Sequence, residues 1–216
     1  MRATRELLER YATSGGGVLV STPDLLDDVP AATLLPVMVD VERFSGAAQG
    51  SAAARLLERA RPVVLHAPSK PWLKGTAVTE DVLAELQAAG RIEHRRLSGV
   101  PHARMAEVLA DADVVVDQVV LGNPGVLLAE SLAAGRLVVA HLSPEVRDRM
   151  AAADRELGGD GVVPVVEADA GTLRGVLEEM LEDRARFVEL AGHGPAWAAR
   201  HHDGTRSAAV LRQLLG

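Results

Sequence analysis

From residue 62 onward, short apolar runs alternate with amphipathic stretches, and this alternation constrains the fold more than any other feature of the chain. Residues 62–66 read PVVLH, 92–97 IEHRRL, 113–120 DVVVDQVV, 137–141 LVVAH and 162–166 VVPVV. Runs of four to eight apolar residues bounded by turn formers read as strands, and a continuous run such as Val114-Val115-Val116 reads as a strand buried on both faces. Helical spacing fills the gaps. Residues 79–89 carry Val82, Leu83, Leu86 and Ala89, have Glu80 and Asp81 in the first turn where the dipole favours acids, and stop at Gly90. Pro101 opens a helix bearing Met105, Val108 and Leu109, and further helices are expected at 125–134 (ended by Gly135), 144–153 and 172–181. The remainder, 184–215, reads as a helical tail with a break at 192–195. Strands separated by helices predict an α/β fold, a Rossmann-like doubly wound parallel sheet with helices on both faces. Ligands on such sheets bind at the carboxyl ends of the strands, so the segment after each strand holds the functional information.

At 216 residues, with 48% apolar and 25% charged residues, the chain can bury a sizeable core. A net charge of −7 opposes a nucleic-acid surface, and Arg91, Arg95 and Arg96, interrupted by Glu93, read as a solvated face. With no cysteine, disulfides and thiolate chemistry are excluded. The first 12 residues are charged and amphipathic, unlike a signal peptide. No apolar run approaches the ~20 residues of a transmembrane helix. A cytoplasmic location is expected. The first 55 residues have a different character. Residues 15–17 are a glycine break, 18–21 a strand, 22–26 a turn into a short helix, 34–41 an extended stretch and 45–54 a small, polar linker. The expected division is an N-terminal extension at 1–55 and a ligand-binding domain at 56–216.

Three post-strand loops carry candidate chemistry. In the first, Ser69, Lys70, Lys74 and Gly75 sit in a Pro- and Gly-shaped segment where a lysine acts as a point charge on phosphate, although solvated lysines would read the same. In the second, Gly99, Val100, Pro101 and His102 could offer backbone groups to a base, or form a plain turn. The third runs from Asp117 to Glu130. Gly122, Asn123, Pro124, Gly125 and Val126 let backbone approach a ligand closely and lead into a helix N-terminus suited to a diphosphate. Glu130 follows among Val126, Leu127, Leu128, Ala129 and Leu132, where a carboxylate is costly unless paired. Ribose hydroxyls would satisfy it; so would a buried arginine. The dinucleotide, P-loop and nucleophile-elbow glycine motifs are absent. Adjacent His201 and His202 point apart on a helix and make a poor chelate, so no metal or other cofactor is expected.

At these residues the chain resembles the C-terminal domain of GT-B-fold glycosyltransferases of the retaining family 4 (glycosyl transferases group 1). The resemblance rests on Lys74-Gly75, the Val100-Pro101-His102 turn, the strand Asp113-Val114-Val115-Val116-Asp117-Gln118, and Glu130-Ser131-Leu132-Ala133-Ala134-Gly135. The last is similar to the second half of the family's Glu-x7-Glu motif. The resemblance implies Lys74 on a nucleotide diphosphate, Glu130 on the ribose, amides at 123–126 on phosphate or sugar, and the 99–102 turn against the base. It also likens residues 18–25 and 40–44 to the end of the family's first domain and its linker. Gly122 stands where the family has the first glutamate, which contacts the donor sugar, and Lys70 stands in for a displaced basic residue.

Four functions are compatible with this reading: the donor half of a retaining transferase completed by a separate N-terminal-domain chain or a dimer mate; a nucleotide-sugar-binding module without turnover; a remnant of a two-domain transferase; and a sugar-nucleotide epimerase. The expected ligand is a nucleotide-diphosphate sugar. A strand at 18–21 without its own sheet would leave unpaired edges that favour association. Light scattering over a wide concentration range is expected to show a dimer or larger species; a monodisperse monomer throughout contradicts self-association.

Overall fold

In a computed structural model, which describes residues 2–14, 17–49 and 55–215, a five-stranded parallel sheet forms the centre of the molecule. Its strands are β3 (Val63–His66), β4 (Glu93–Arg96), β5 (Val114–Val116), β6 (Leu137–Ala140) and β7 (Val165–Glu167), in the order β4-β3-β5-β6-β7. A separate two-stranded parallel ladder joins β1 (Leu19–Val20) to β2 (Thr33–Leu34).

The two-residue period of each strand divides the core. Val63, Leu65, Val115, Val138 and Ala140 face one layer, while Val64, Val114, Val116, Leu137 and Val139 face the other. The first layer holds α3 (Val41–Gln49), α6 (Met105–Ala110), α7 (Val126–Ala133), α8 (Pro144–Glu156) and α11 (Gly194–His202). The second holds α5 (Thr76–Ala88), α9 (Leu173–Glu182) and α10 (Arg184–Gly192). Burying each valine in the central strands contributes on the order of 1.5–3 kcal/mol. Strand β4, the charged EHRR, lies at the sheet edge, where polar side chains cost little. The arginines there are paired: Arg95 with Glu93 and Asp111, Arg96 with Glu80.

Asp113 fixes the amino end of the sheet. Its buried carboxylate accepts hydrogen bonds from Leu57 N at 2.9 Å and Val63 N at 2.8 Å, tying the chain entering β3 to the start of β5. Helix α8 starts as its sequence suggests, with Pro144 in the first turn and Ser143 Oγ accepting from Val146 N.

Four sequence expectations change. The strand expected over 113–120 ends at Val116, because the Gln118 side chain takes up the following backbone: its Oε1 accepts from Val120 N and Leu121 N, and its Nε2 donates to the carbonyls of Asn123 and His141. Residues 45–49 are not a linker. They belong to α3, whose Phe44 is buried to 1% exposure in the core; residues 50–54 lie outside the described ones. Pro101 leads first into a 3-10 turn, His102–Arg104, ahead of α6. The helical tail breaks twice, before α11 and again before α12 (Thr205–Leu215). Two short helices, α2 (Leu25–Asp28) and α4 (Pro71–Lys74), and an N-terminal helix α1 (Arg2–Thr13) complete the order. Of the glycine break, residues 15 and 16 also lie outside the described residues.

The N-terminal segment is stitched to the last helices. Val39 N donates to His202 O, Ser207 Oγ to Pro36 O, and His202 Nδ1 lies 2.8 Å from Val37 O, so it carries the proton and donates. Burial pushes the His202 pKa down from 6.5 to about 4. A histidine with a lowered folded-state pKa stabilises the fold above the unfolded value and loses that contribution as pH falls. Stability is therefore expected to drop between pH 6.5 and about 4, by up to roughly 3 kcal/mol from this residue. Denaturant melts across that window should show the loss, with a shallower slope in His202→Asn, whose amide can replace the Nδ1 donor.

Candidate functional site

The chain leaves β3 toward β4 on one side and returns to β5 on the other, so the strand order reverses between β3 and β5. A crevice opens at the carboxyl ends of strands at such a reversal. Here the cavity measures about 440 Å³. The loop after β3 lines it with Ser69 and Lys74, the loop after β4 with Gly99, Val100 and His102, and the start of α7 with Gly125, Val126 and Glu130.

At its base lies an ion pair. Asp117, immediately after β5, is fully buried and receives the Lys74 ammonium; its second oxygen has no partner among the described residues. An ammonium carries three N–H donors, so Lys74 keeps capacity for a ligand. Gly125 caps α7 in an extended conformation, and a Cβ there would lie 3.2 Å from Asp117 Oδ2 and 3.7 Å from Lys74 Nζ. A glycine lets the helix N-terminus, with its unpaired N–H groups and positive dipole end, rest against the ion pair.

Glu130 projects from α7 and is 3% exposed. Its Oε1 lies 2.5 Å from Nε2 of His102, a mostly exposed side chain on the opposite wall. The buried-arginine alternative is thus replaced by a solvent-facing histidine, and Oε2 has no protein hydrogen-bond partner among the described residues. Gly99 adopts a left-handed conformation with open space around it, which shapes the turn over the cavity.

The other sequence candidates lie outside the cavity wall. Gly75 is the left-handed joint between α4 and α5, where a Cβ would strike Val119 at 2.6 Å and Val120 at 2.8 Å. Gly122 turns the loop back so that its carbonyl accepts from Ser143 N. Asn123 donates to Asp24 of the N-terminal segment at 2.9 Å, and Pro124 borders a second cavity. Lys70 immediately precedes α4, and the Pro101 carbonyl accepts from Arg104 N. Two residues that sequence reasoning left without a role support the site from below. Gln118 folds the 119–123 loop, and buried His66, its pKa lowered by burial, bridges Val116 O at 2.8 Å and Thr76 Oγ1 at 3.0 Å. For His66 the signal was a polar residue ending an apolar strand; Gln118, inside the run 113–120, gave only its polarity among valines.

No family model and no curated protein sequence matches the chain. Solved structures do. Sucrose-phosphate synthase from Thermosynechococcus elongatus superposes with a TM-score of 0.66 at 18% identity, covering 98% of this chain and 59% of that one. Anabaena HepE in complex with UDP gives 0.66 at 14% identity, with 99% and 66% covered. WaaG, a glycosyltransferase involved in lipopolysaccharide biosynthesis, gives 0.63 at 14%, with 93% and 63% covered. The chain has the fold of a GT-B glycosyltransferase half-domain. It spans about three-fifths to two-thirds of the length of these three structures. Among the described residues no helix is long and apolar enough to cross a membrane, and no group of three or more acidic or histidine side chains is placed to hold a metal ion.

The half-domain's site rests on the Lys74–Asp117 pair, which gives a direct test. Removing one partner of a buried pair leaves an uncompensated charge and costs about 3–5 kcal/mol. Lys74→Met is expected to destabilise by that amount in urea unfolding, and the double variant Lys74→Met/Asp117→Leu to recover most of it. Equal stability of Lys74→Met and the parent would show that Asp117 is not held as an ion.

Proposed function

We propose that this chain is the donor-binding half of a retaining glycosyltransferase of the family 4 type, taking a nucleotide-diphosphate sugar as substrate. The observation that carries the reading is the convergence of Lys74, the α7 N-terminus at Gly125, the 99–102 turn and Glu130 around one cavity. A diphosphate in the cavity would meet the Lys74 ammonium and the adjacent α7 amides together, and an ammonium and a helix dipole balance its charge without a metal or other cofactor. Lys70, just before α4, would add a second cation on the same loop as Ser69. Glu130, about one turn into α7, presents Oε2 to the ribose hydroxyls. The base then lies against the backbone at 99–101. HepE, with its bound UDP, supports a uridine nucleotide as the first one to try.

In this reading residues 1–55 are the end of a first domain, residues 56–216 are the donor half, and the body of that first domain covers the carboxyl edge of the sheet. Trp72, Val120, Leu121 and Val126 are exposed around the carboxyl edge of the sheet, an apolar rim suited to such a cover. A cytoplasmic location agrees with the nucleotide-sugar substrate. Gly122 favours one second reading, a nucleotide-sugar-binding module without turnover, since no carboxylate stands there to hold the sugar.

Calorimetric titration of UDP, GDP and ADP, then of their sugars, tests the proposal. One nucleotide is expected to bind, and Glu130→Ala to weaken it by about 1.5–3 kcal/mol, one to two decades in affinity. Equal binding by Glu130→Ala, or none by the parent, overturns the assignment. Release of free sugar from the donor by the isolated chain separates an active half from a binding module.

A further inference from the structure

A second cavity, of about 310 Å³, lies on the other side of Gly125 from the donor crevice. It is closed by the N-terminal segment on one side and by α8, α11 and α12 on the other, and its walls are mainly apolar: Leu26, Leu34, Pro36, Met150, Ala153 and Trp197. Three observations make it more than a packing gap. Trp197 is 2% exposed, and its indole Nε1 has no hydrogen-bond partner among the described residues. A buried unpaired N–H costs free energy that a ligand oxygen would recover. The Trp197 ring already stacks on His201 at 4.1 Å, so it is held rigidly, and only its edge is open to an occupant of the cavity.

The charges around the cavity differ in availability. Arg149 is occupied by Asp27 and the Pro23 carbonyl. His201 is bonded to Asp154 and His202 to the Val37 carbonyl, and burial keeps both histidines neutral at ordinary pH. Arg206, half-buried on the wall, makes no hydrogen bond or ion pair among the described residues, including with Glu156, which also borders the cavity. An apolar box with one available guanidinium and one unpaired indole N–H is complementary to an apolar body ending in a carboxylate.

We propose that this cavity binds a small planar apolar carboxylate, with its ring against Trp197 and its anionic head on Arg206. Resting on the donor-site reading, the ligand is the acceptor or its aglycone, since Gly125 lines both cavities and places it beside the diphosphate end of the donor.

The test uses the full chain, 15N-labelled, with 2-naphthoate as the probe and 2-naphthol as its neutral counterpart. The chain has two tryptophans, so two indole N–H signals are expected, and Trp72→Phe assigns the one from Trp197. Naphthoate is expected to shift the Trp197 signal saturably. Ala153→Phe, which fills the cavity, should weaken binding at least tenfold; Ala152→Phe, at a more exposed lining position, serves if that variant does not fold. Arg206→Gln should weaken naphthoate about tenfold and leave naphthol within twofold. Glu130→Ala should leave naphthoate within twofold; a parent chain that binds naphthoate but no nucleotide refutes the donor reading and keeps this cavity. No saturable Trp197 shift up to millimolar naphthoate, or equal binding when the cavity is filled, overturns the proposal. An Arg206→Gln effect that is absent, or equal for both probes, overturns the assignment of the anionic head.

Discussion

The site depends on a carboxylate that water cannot reach. Asp117 sits at the carboxyl end of the central strand β5, fully buried, and an isolated charge there would cost several kcal/mol. Lys74 supplies the counter-charge from the end of the short helix α4, and that contact sets much else in place. It draws α4 onto the sheet, and Val119 N hydrogen-bonds back to the Lys74 carbonyl. The joint that follows must then be Gly75, because any side chain would collide with Val119 and Val120. On the other flank Gly125 fits because it has no side chain, so α7 begins against the pair. One buried charge thus brings a cation, a loop and a helix N-terminus side by side.

A second level of order comes from the N-terminal segment. Its ladder of β1 and β2 has too few residues to be stable alone. It persists because side chains from distant parts of the chain hold it: Arg149 on Pro23 and Asp27, Asn123 on Asp24, His202 on Val37 and Ser207 on Pro36. Most of these bonds meet backbone carbonyls, so they fix the path of the segment more than its composition. They also leave a gap between the segment and α11, which is the second cavity.

The central strands were legible because burial on both faces removes the need for polar residues. Val114-Val115-Val116 and Leu137-Val138-Val139-Ala140 are apolar throughout, and both are strands. The end of β5 was not legible, since Val119 and Val120 continue the apolar run and only the side-chain bonding of Gln118 stops it. Helix α3 was also missed. Ser45, Gly46, Ala47 and Ala48 are small and read as linker, yet Phe44 anchors them in the core, a contact between residues distant in sequence.

Sequence by itself determined the parallel α/β architecture, the post-strand position of the candidate residues, and the unusual status of Glu130, because strand period, turn chemistry and the cost of a carboxylate among apolar neighbours are local properties. Tertiary structure alone decided which of those residues share a cavity. Lys74, Gly125, His102 and Glu130 converge there, whereas Gly75, Gly122 and Asn123 brace the loops around it. It also chose the partners: Asp117 for Lys74 and His102 for Glu130. Such pairings depend on how far apart the ends of neighbouring strands lie and how a helix is rotated upon the sheet, distances that no stretch of sequence encodes locally.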